Sequence, residues 1–232
     1  MSESQKQICV GVDAAQESIA DNVESGSWGV IGVMGVDEPS FAYTIGLHYK
    51  GLPELIMVGL DPESAVVILN QCAERMVNQG KGYPAGATLE GLANLPLALV
   101  DVSETCKSQY THQAYNHYRH WDYDLQQLVM PDAGGKFPWY GSFDSRMHQV
   151  QPLLGDIPPQ EMVTVTVHAT CHDSGETVEF TRSVSKFVVE DLFDCQNFVK
   201  SLLPAVEGKW TFWEAYLLNE KGENIGWSNS EI

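Results

Sequence analysis

No apolar run in this chain approaches the 18 or so residues that a membrane-spanning helix needs, and its longest apolar stretches are strand-sized. The start, Met1-Ser2-Glu3-Ser4-Gln5-Lys6, lacks the basic opening and apolar core of a secretory signal. A cytoplasmic location with no membrane partner is therefore expected. Basic residues are scarce. Thirteen Lys and Arg stand against thirty-one Asp and Glu, a formal net charge of −18. Such a surface repels nucleic acid and anionic lipid, and it steers basic proteins toward itself. The five cysteines (Cys9, Cys72, Cys106, Cys171, Cys195) are odd in number and never form CxxC. That excludes a zinc ribbon or a thioredoxin-type pair from the pattern and favours reduced thiols packed as small apolar groups.

Signatures of catalysis are also missing. Gly29, Gly32 and Gly35 are spaced GxxGxxG within a strand and hairpin, not as the GxGxxG that opens a helix toward a pyrophosphate. There is no GxSxG elbow, and no cysteine has a basic motif beside it. His112 and His117 are five apart, a poor fit to one helical face. His117 and His120 could share a face, but no acid is spaced to complete a metal site. His168 and His172 lie too far apart on one strand to hold an ion unaided. No catalytic residue, cofactor or metal is expected from these patterns.

What is present reads as an α+β protein. Residues 12–24 have the spacing of an amphipathic helix, with Val12, Ala15, Ile19 and Val23 on one face. Strands are predicted at 28–33, 41–47, 55–60 and 97–102, and again from Leu125 to Met130. The clearest helix follows Asp61 as N-cap, has Pro62 at its first position and ends at Gly80. Residues 80–96 read as loop, and 109–121 as a single helix rich in Tyr and His. Beyond Val150, period-two alternation from Val163 to Cys171 turns at Asp173-Ser174-Gly175 and returns over Thr177–Val184. A helix over 190–203 and a hairpin of Trp210–Leu218 with Asn224–Ser228 complete a ββ-α-ββ pattern. The expected organisation is a mostly antiparallel, barrel-like domain with packed helices over residues 1–147, then a small α+β domain over 148–232.

Several segments, in order, carry a family resemblance. They are Trp28-Gly29-Val30-Ile31-Gly32-Val33, Phe41-Ala42-Tyr43-Thr44-Ile45-Gly46-Leu47, and Leu52-Pro53-Glu54-Leu55-Ile56 through Gly59-Leu60. Leu89-Glu90-Gly91-Leu92 follows, then Gln127-Leu128-Val129-Met130-Pro131-Asp132 and Gly135-Lys136-Phe137-Pro138-Trp139. Over roughly residues 25–140 the chain resembles the bacterial domain of unknown function 4262 family. That resemblance implies no agreed catalytic residues. Some relatives look like immunity proteins encoded beside polymorphic toxins, including toxins of the ADP-ribosyltransferase kind.

The resulting expectation is an immunity protein that binds a cognate, basic toxin and occludes its active or substrate-binding surface. Candidate contact residues are the acidic stripe Asp13, Glu17, Asp21 and Glu24, the aromatics Trp139 and Tyr140, and the acids Glu190, Asp191 and Asp194. The alternative is a flavin- or small-ligand-binding enzyme of the split-barrel sort, with Ser40, Thr44 and the Gly134-Gly135 turn near a phosphate.

Overall fold

Short, nearly continuous apolar runs, whose successive side chains point to opposite sides, build a first sheet with both faces buried. The computed structural model describes residues 19–158, 161–171, 174–191, 194–198, 213–219 and 221–229. Strands β1 (Gly29–Val33), β2 (Phe41–Ile45), β3 (Glu54–Val58), β4 (Thr88–Leu89), β5 (Leu97–Asp101) and β6 (Leu125–Val129) form one sheet in the order β1-β2-β3-β6-β5-β4. Every neighbouring pair is antiparallel except β3 with β6, which run parallel at the centre. The α+β class holds, but the sheet stays open and is not a closed barrel. β4, at one end, is two residues long and offers too short an edge to complete a ring with β1.

Helix α1 (Pro62–Gln79) forms as its sequence dictates. Asp61 accepts the Ser64 N–H at 2.9 Å, and Gly80 ends the helix in the left-handed region at φ 68°. Its apolar stripe of Ala65, Leu69, Cys72, Ala73 and Met76 covers Val30, Ala42, Leu55, Met57, Leu99 and Leu128. The opposite face presents Ile31, Tyr43, Ile45, Ile56, Val58 and Leu125 to Ala114, Tyr118 and Tyr123. Each buried side chain of this size contributes about 1.5–3 kcal/mol.

The single helix expected over 109–121 is two helices, α2 (Glu104–Tyr110) and α3 (His112–Tyr118). α2 begins five residues upstream of the expected start, capped by Ser103, which accepts the Cys106 N–H at 3.3 Å. Thr111 breaks the run at φ −119°, ψ 44°. Its hydroxyl donates to the Lys107 carbonyl at 2.7 Å and lies 2.6 Å from the Tyr123 hydroxyl, so a local back-bond and a distant partner both hold the bend. Upstream, residues 19–24 are helical. The earlier part of the helix expected over 12–24, with Asp13 and Glu17, lies outside the described residues. A short helix α4 (Met147–Val150) follows the sheet.

One polar group sits deep in this unit. Glu54, at the start of β3, is 1% exposed. Its Oε1 accepts the N–H of Gly46 at 2.9 Å, the N–H of His48 at 3.0 Å and the hydroxyl of Tyr118, while Oε2 accepts the Thr44 hydroxyl. Gly46 can serve because it is glycine. It lies at φ 117°, and a Cβ there would come within 2.8 Å of Val23 and 3.1 Å of the Ser27 carbonyl.

The chain divides into two compact units, the first running to Pro138 and including Asp144–Pro158, the second comprising Trp139–Phe143 and the residues from Pro159 onward. In the second, β7 (Met162–Cys171), β8 (Thr177–Ser185), α5 (Lys186–Glu190), β9 (Trp213–Leu218) and β10 (Asn224–Asn229) appear in that order. Their sheet is antiparallel throughout, in the order β10-β9-β7-β8. Val165, Val167, Ala169, Val184, Ala215 and Leu217 form its core. The helix expected over 190–203 begins earlier, as α5, and resumes at residues 194–198. Its remaining turns, and Trp210 and Phe212 of the expected last hairpin, lie outside the described residues.

Removing the Glu54 side chain orphans several buried donors at about 1–3 kcal/mol each. Glu54→Ala is expected to lower the unfolding free energy by about 3–5 kcal/mol, with a smaller loss for Glu54→Gln, which keeps one acceptor oxygen. Urea unfolding followed by tryptophan fluorescence measures both. Equal stability of Glu54→Ala and wild type would refute the hub role.

Candidate functional site

Two places in the described residues gather chemistry-bearing side chains. The first is on α3. Tyr118, at its end, reaches through the sheet face to Glu54, and this fixes which residues of the helix look outward. The outward residues Gln113, Asn116, His117 and the following Arg119 rim a cavity of about 240 Å³ whose floor is Ile19, Ile31 and Ile45. Gln113 is held by the buried Tyr43, whose hydroxyl donates to the amide oxygen. Burial pushes that phenol far above its ordinary range, so it remains a donor. His117 is half-buried, and its Nε2 has no hydrogen-bond partner. Burial holds its imidazole below the usual pKa range, against the opposing pull of Glu54. Arg119 has a left-handed backbone at φ 64°, unique among the described non-glycine residues.

The second place is in the second unit, where the loop 139–143 meets α5 and the turn after it. The Tyr140 hydroxyl donates to Glu190 at 3.1 Å, the Gly141 N–H donates to Asp194 at 2.9 Å, and the Ser142 hydroxyl donates to Asp191. Trp139 and Tyr140 pack on Phe187 at centroid distances of 6.0 and 5.1 Å. Burial, then the neighbouring Glu190, pushes the Tyr140 phenol up to about 12. Five of the nine residues expected to contact a partner are thus brought together, Tyr140 bonded to Glu190 and the others engaged with Gly141, Ser142 and Phe187. Asp191 is 2% exposed and also accepts the Asp194 N–H at 3.2 Å. Asp21 and Glu24, by contrast, are exposed on the helical turn at residues 19–24.

Sequence reasoning missed the tip of the β1–β2 hairpin. Met34 and Val36 are 73% and 95% exposed there, beside the exposed carboxylates of Asp37 and Glu38. The segment reads only as a turn, and nothing in its composition says which way its apolar residues face.

The groups considered for a flavin phosphate have other partners. Thr44 is fully buried against Glu54 and the Leu55 N–H. Ser40 accepts the Gly35 N–H at 3.1 Å. Gly134 and Gly135 turn around Asp132, whose carboxylate accepts the N–H groups of Gly134, Lys136 and Asp144 at 2.8–2.9 Å. The thiols of Cys72 and Cys195 are buried, and burial pushes them up to about 12 and about 11. Neither is poised as a nucleophile at neutral pH. No three His, Cys, Asp or Glu side chains converge to hold a metal ion among the described residues.

Asp132 organises the loop that leads out of β6. Burial opposes its charge, yet the three N–H bonds outweigh that and hold the carboxyl below its ordinary range. A depressed folded pKa contributes stability above the unfolded value of ~4, and that contribution disappears as pH falls through the folded value. Asp132→Asn is expected to cost about 1–2 kcal/mol at neutral pH. The gap from wild type should narrow only below pH ~4. Thermal unfolding of both proteins across pH checks this, and a gap independent of pH down to acid denaturation would contradict it.

The profile of the family described as "Domain of unknown function (DUF4262)" matches residues 22–144, more than half of the chain. The matched span contains β1 through β6, α1 through α3, Glu54 with all its donors, and the Asp132 loop. No curated protein and no solved structure matches the chain. The chain belongs to the DUF4262 family of domains of unknown function.

Proposed function

We propose that this protein is an immunity protein that binds a cognate, basic toxin domain and covers its active or substrate-binding surface without catalysing a reaction. One observation carries the reading: the chain's acidic excess is left unneutralised at its surface. Ion pairs join Lys107 to Glu104, Arg146 to Asp144, and Lys186 to Glu161 and Glu190. Asp21, Glu24, Asp37, Glu38, Glu63 and Glu74 are exposed and have no cationic partner among the described residues. Unpaired carboxylates at this density attract a cationic protein over distances of about a Debye length, ~10 Å at 0.1 M salt.

Steering alone gives no residence time, which requires buried apolar contact. The β1–β2 tip supplies it in Met34 and Val36, flanked by Asp37 and Glu38. In the second unit, mutual bonds hold the 139–143 loop to α5 and the turn after it, and Glu190 stays exposed there.

Co-expression with a toxin domain encoded beside this protein should restore growth of a sensitive host. Absence of such a toxin, or of rescue, sinks the reading. With the complex in hand, the paired reversal Asp37→Lys with Glu38→Lys should slow association about tenfold at low salt and flatten its salt dependence. Val36→Ala should act mainly on dissociation. Surface plasmon resonance at two ionic strengths separates the effects.

A further inference from the structure

Among the residues lining the cavity on α3 are side-chain donors that have no acceptor among the described residues. The protein has four arginines. Arg75 donates to the carbonyls of Glu90 and Gly91, Arg146 to Asp144, and Arg182 to the Thr181 carbonyl. The Arg119 side chain has no partner among the described residues, in a chain with a surplus of carboxylates. Its backbone adds a second oddity. At the left-handed position that closes α3, where its N–H bonds the Tyr115 carbonyl at 2.7 Å, glycine would be the unstrained choice. A long cationic side chain kept at a strained position, unpaired, at the mouth of a cavity points to a task for that side chain.

The neighbours sharpen the task. Gln113 gives its amide oxygen to the Tyr43 hydroxyl, which leaves its NH₂ as the free end. His117 shares this rim, and its Nε2 is a buried polar atom with no hydrogen-bond partner among the described residues. Below these lie three isoleucines, Ile19, Ile31 and Ile45. A dry cavity of about 150 Å³ holds a benzene ring, so about 240 Å³ takes one ring or a branched aliphatic body together with a short acid arm.

We infer that this cavity binds a small amphipathic monocarboxylate, with its apolar body on the isoleucine floor and its carboxylate on the Arg119 guanidinium and the Gln113 NH₂. Arg119 can form a two-pronged bond with such a group, and neutral donors beside it add direction. The site is separate from the partner surface at the hairpin tip, and its test involves no toxin.

The probes are 3-phenylpropionate, its neutral amide 3-phenylpropanamide, and sodium sulfate, titrated into the full-length protein by protein-observed NMR with thermal unfolding in parallel. The carboxylate is expected to shift signals of α3 residues with a dissociation constant of about 1 mM or tighter. The amide and sulfate should bind at least about tenfold more weakly. Arg119→Gly is the decisive variant. It relieves the backbone and should melt at or above the wild-type temperature, yet lose at least about tenfold in affinity for the carboxylate. Gln113→Leu provides a second variant, with a smaller loss of affinity. Absence of carboxylate binding at about 10 mM overturns the proposal. So does unchanged affinity in Arg119→Gly, and so does sulfate binding as tightly as the carboxylate.

Discussion

A carboxylate removed from water must be surrounded by donors or it unfolds its surroundings, and Glu54 imposes that demand on three separate stretches of chain. The N–H groups of Gly46 and His48 come from the turn after β2, the Thr44 hydroxyl from β2 itself, and the Tyr118 hydroxyl from the end of α3. Each of these segments is therefore held in one position by the same pair of oxygens. The turn must contain glycine at position 46, the short 3-10 segment His48–Lys50 must present its first N–H inward, and α3 must end with Tyr118 against the sheet. Burial first and the Glu54 charge second push the Tyr118 phenol well above its ordinary range, so the hydroxyl stays a donor. Once α3 is fixed in this way, the direction of its polar face is fixed too, and the cavity rim of Gln113, Asn116 and His117 follows from it.

Much of the first sheet is legible in the sequence because its causes are local. Helix α1 is announced by Asp61, Pro62 and Gly80, and its buried stripe repeats at helical spacing. The strands show as short apolar runs between Gly and Pro. The division of α2 from α3 is not legible, since the Thr111 bend depends on Tyr123, twelve positions on. Glu54 reads as an ordinary acid at the start of a strand, because all four of its donors lie more than five residues away. Asp191 reads as a surface acid in an acidic stretch, and its burial depends on Ser142, 49 positions earlier. Arg119 gives no warning of its left-handed backbone. Positions whose conformation is set by distant partners are those that sequence patterns report least well, and the candidate site consists largely of them.

The two kinds of surface on this protein obey opposite electrostatic logic. On the exterior, exposed acids lack cations and present an open negative field. In the cavity, a guanidinium and an amide NH₂ lack acceptors, although carboxylates are abundant elsewhere in the chain. The first arrangement acts at a distance and falls with salt, while the second acts only at contact, where geometry outweighs net charge. A chain of −18 can therefore hold an anion at one point without contradiction.

The central β3–β6 pairing sets an order on events at the ribosome. β1, β2 and β3 can associate as an antiparallel meander soon after they emerge, but the inner edge of β3, all five residues of which are buried in the finished fold, has no partner until β6 is made. Glu54 waits over the same interval, since Tyr118 lies 64 positions further along. For that period the nascent chain carries an uncovered apolar strand edge beside an unsatisfied charge. The charge is an advantage there: a carboxylate at the head of an exposed strand discourages edge-to-edge pairing between neighbouring nascent chains until the native partner arrives.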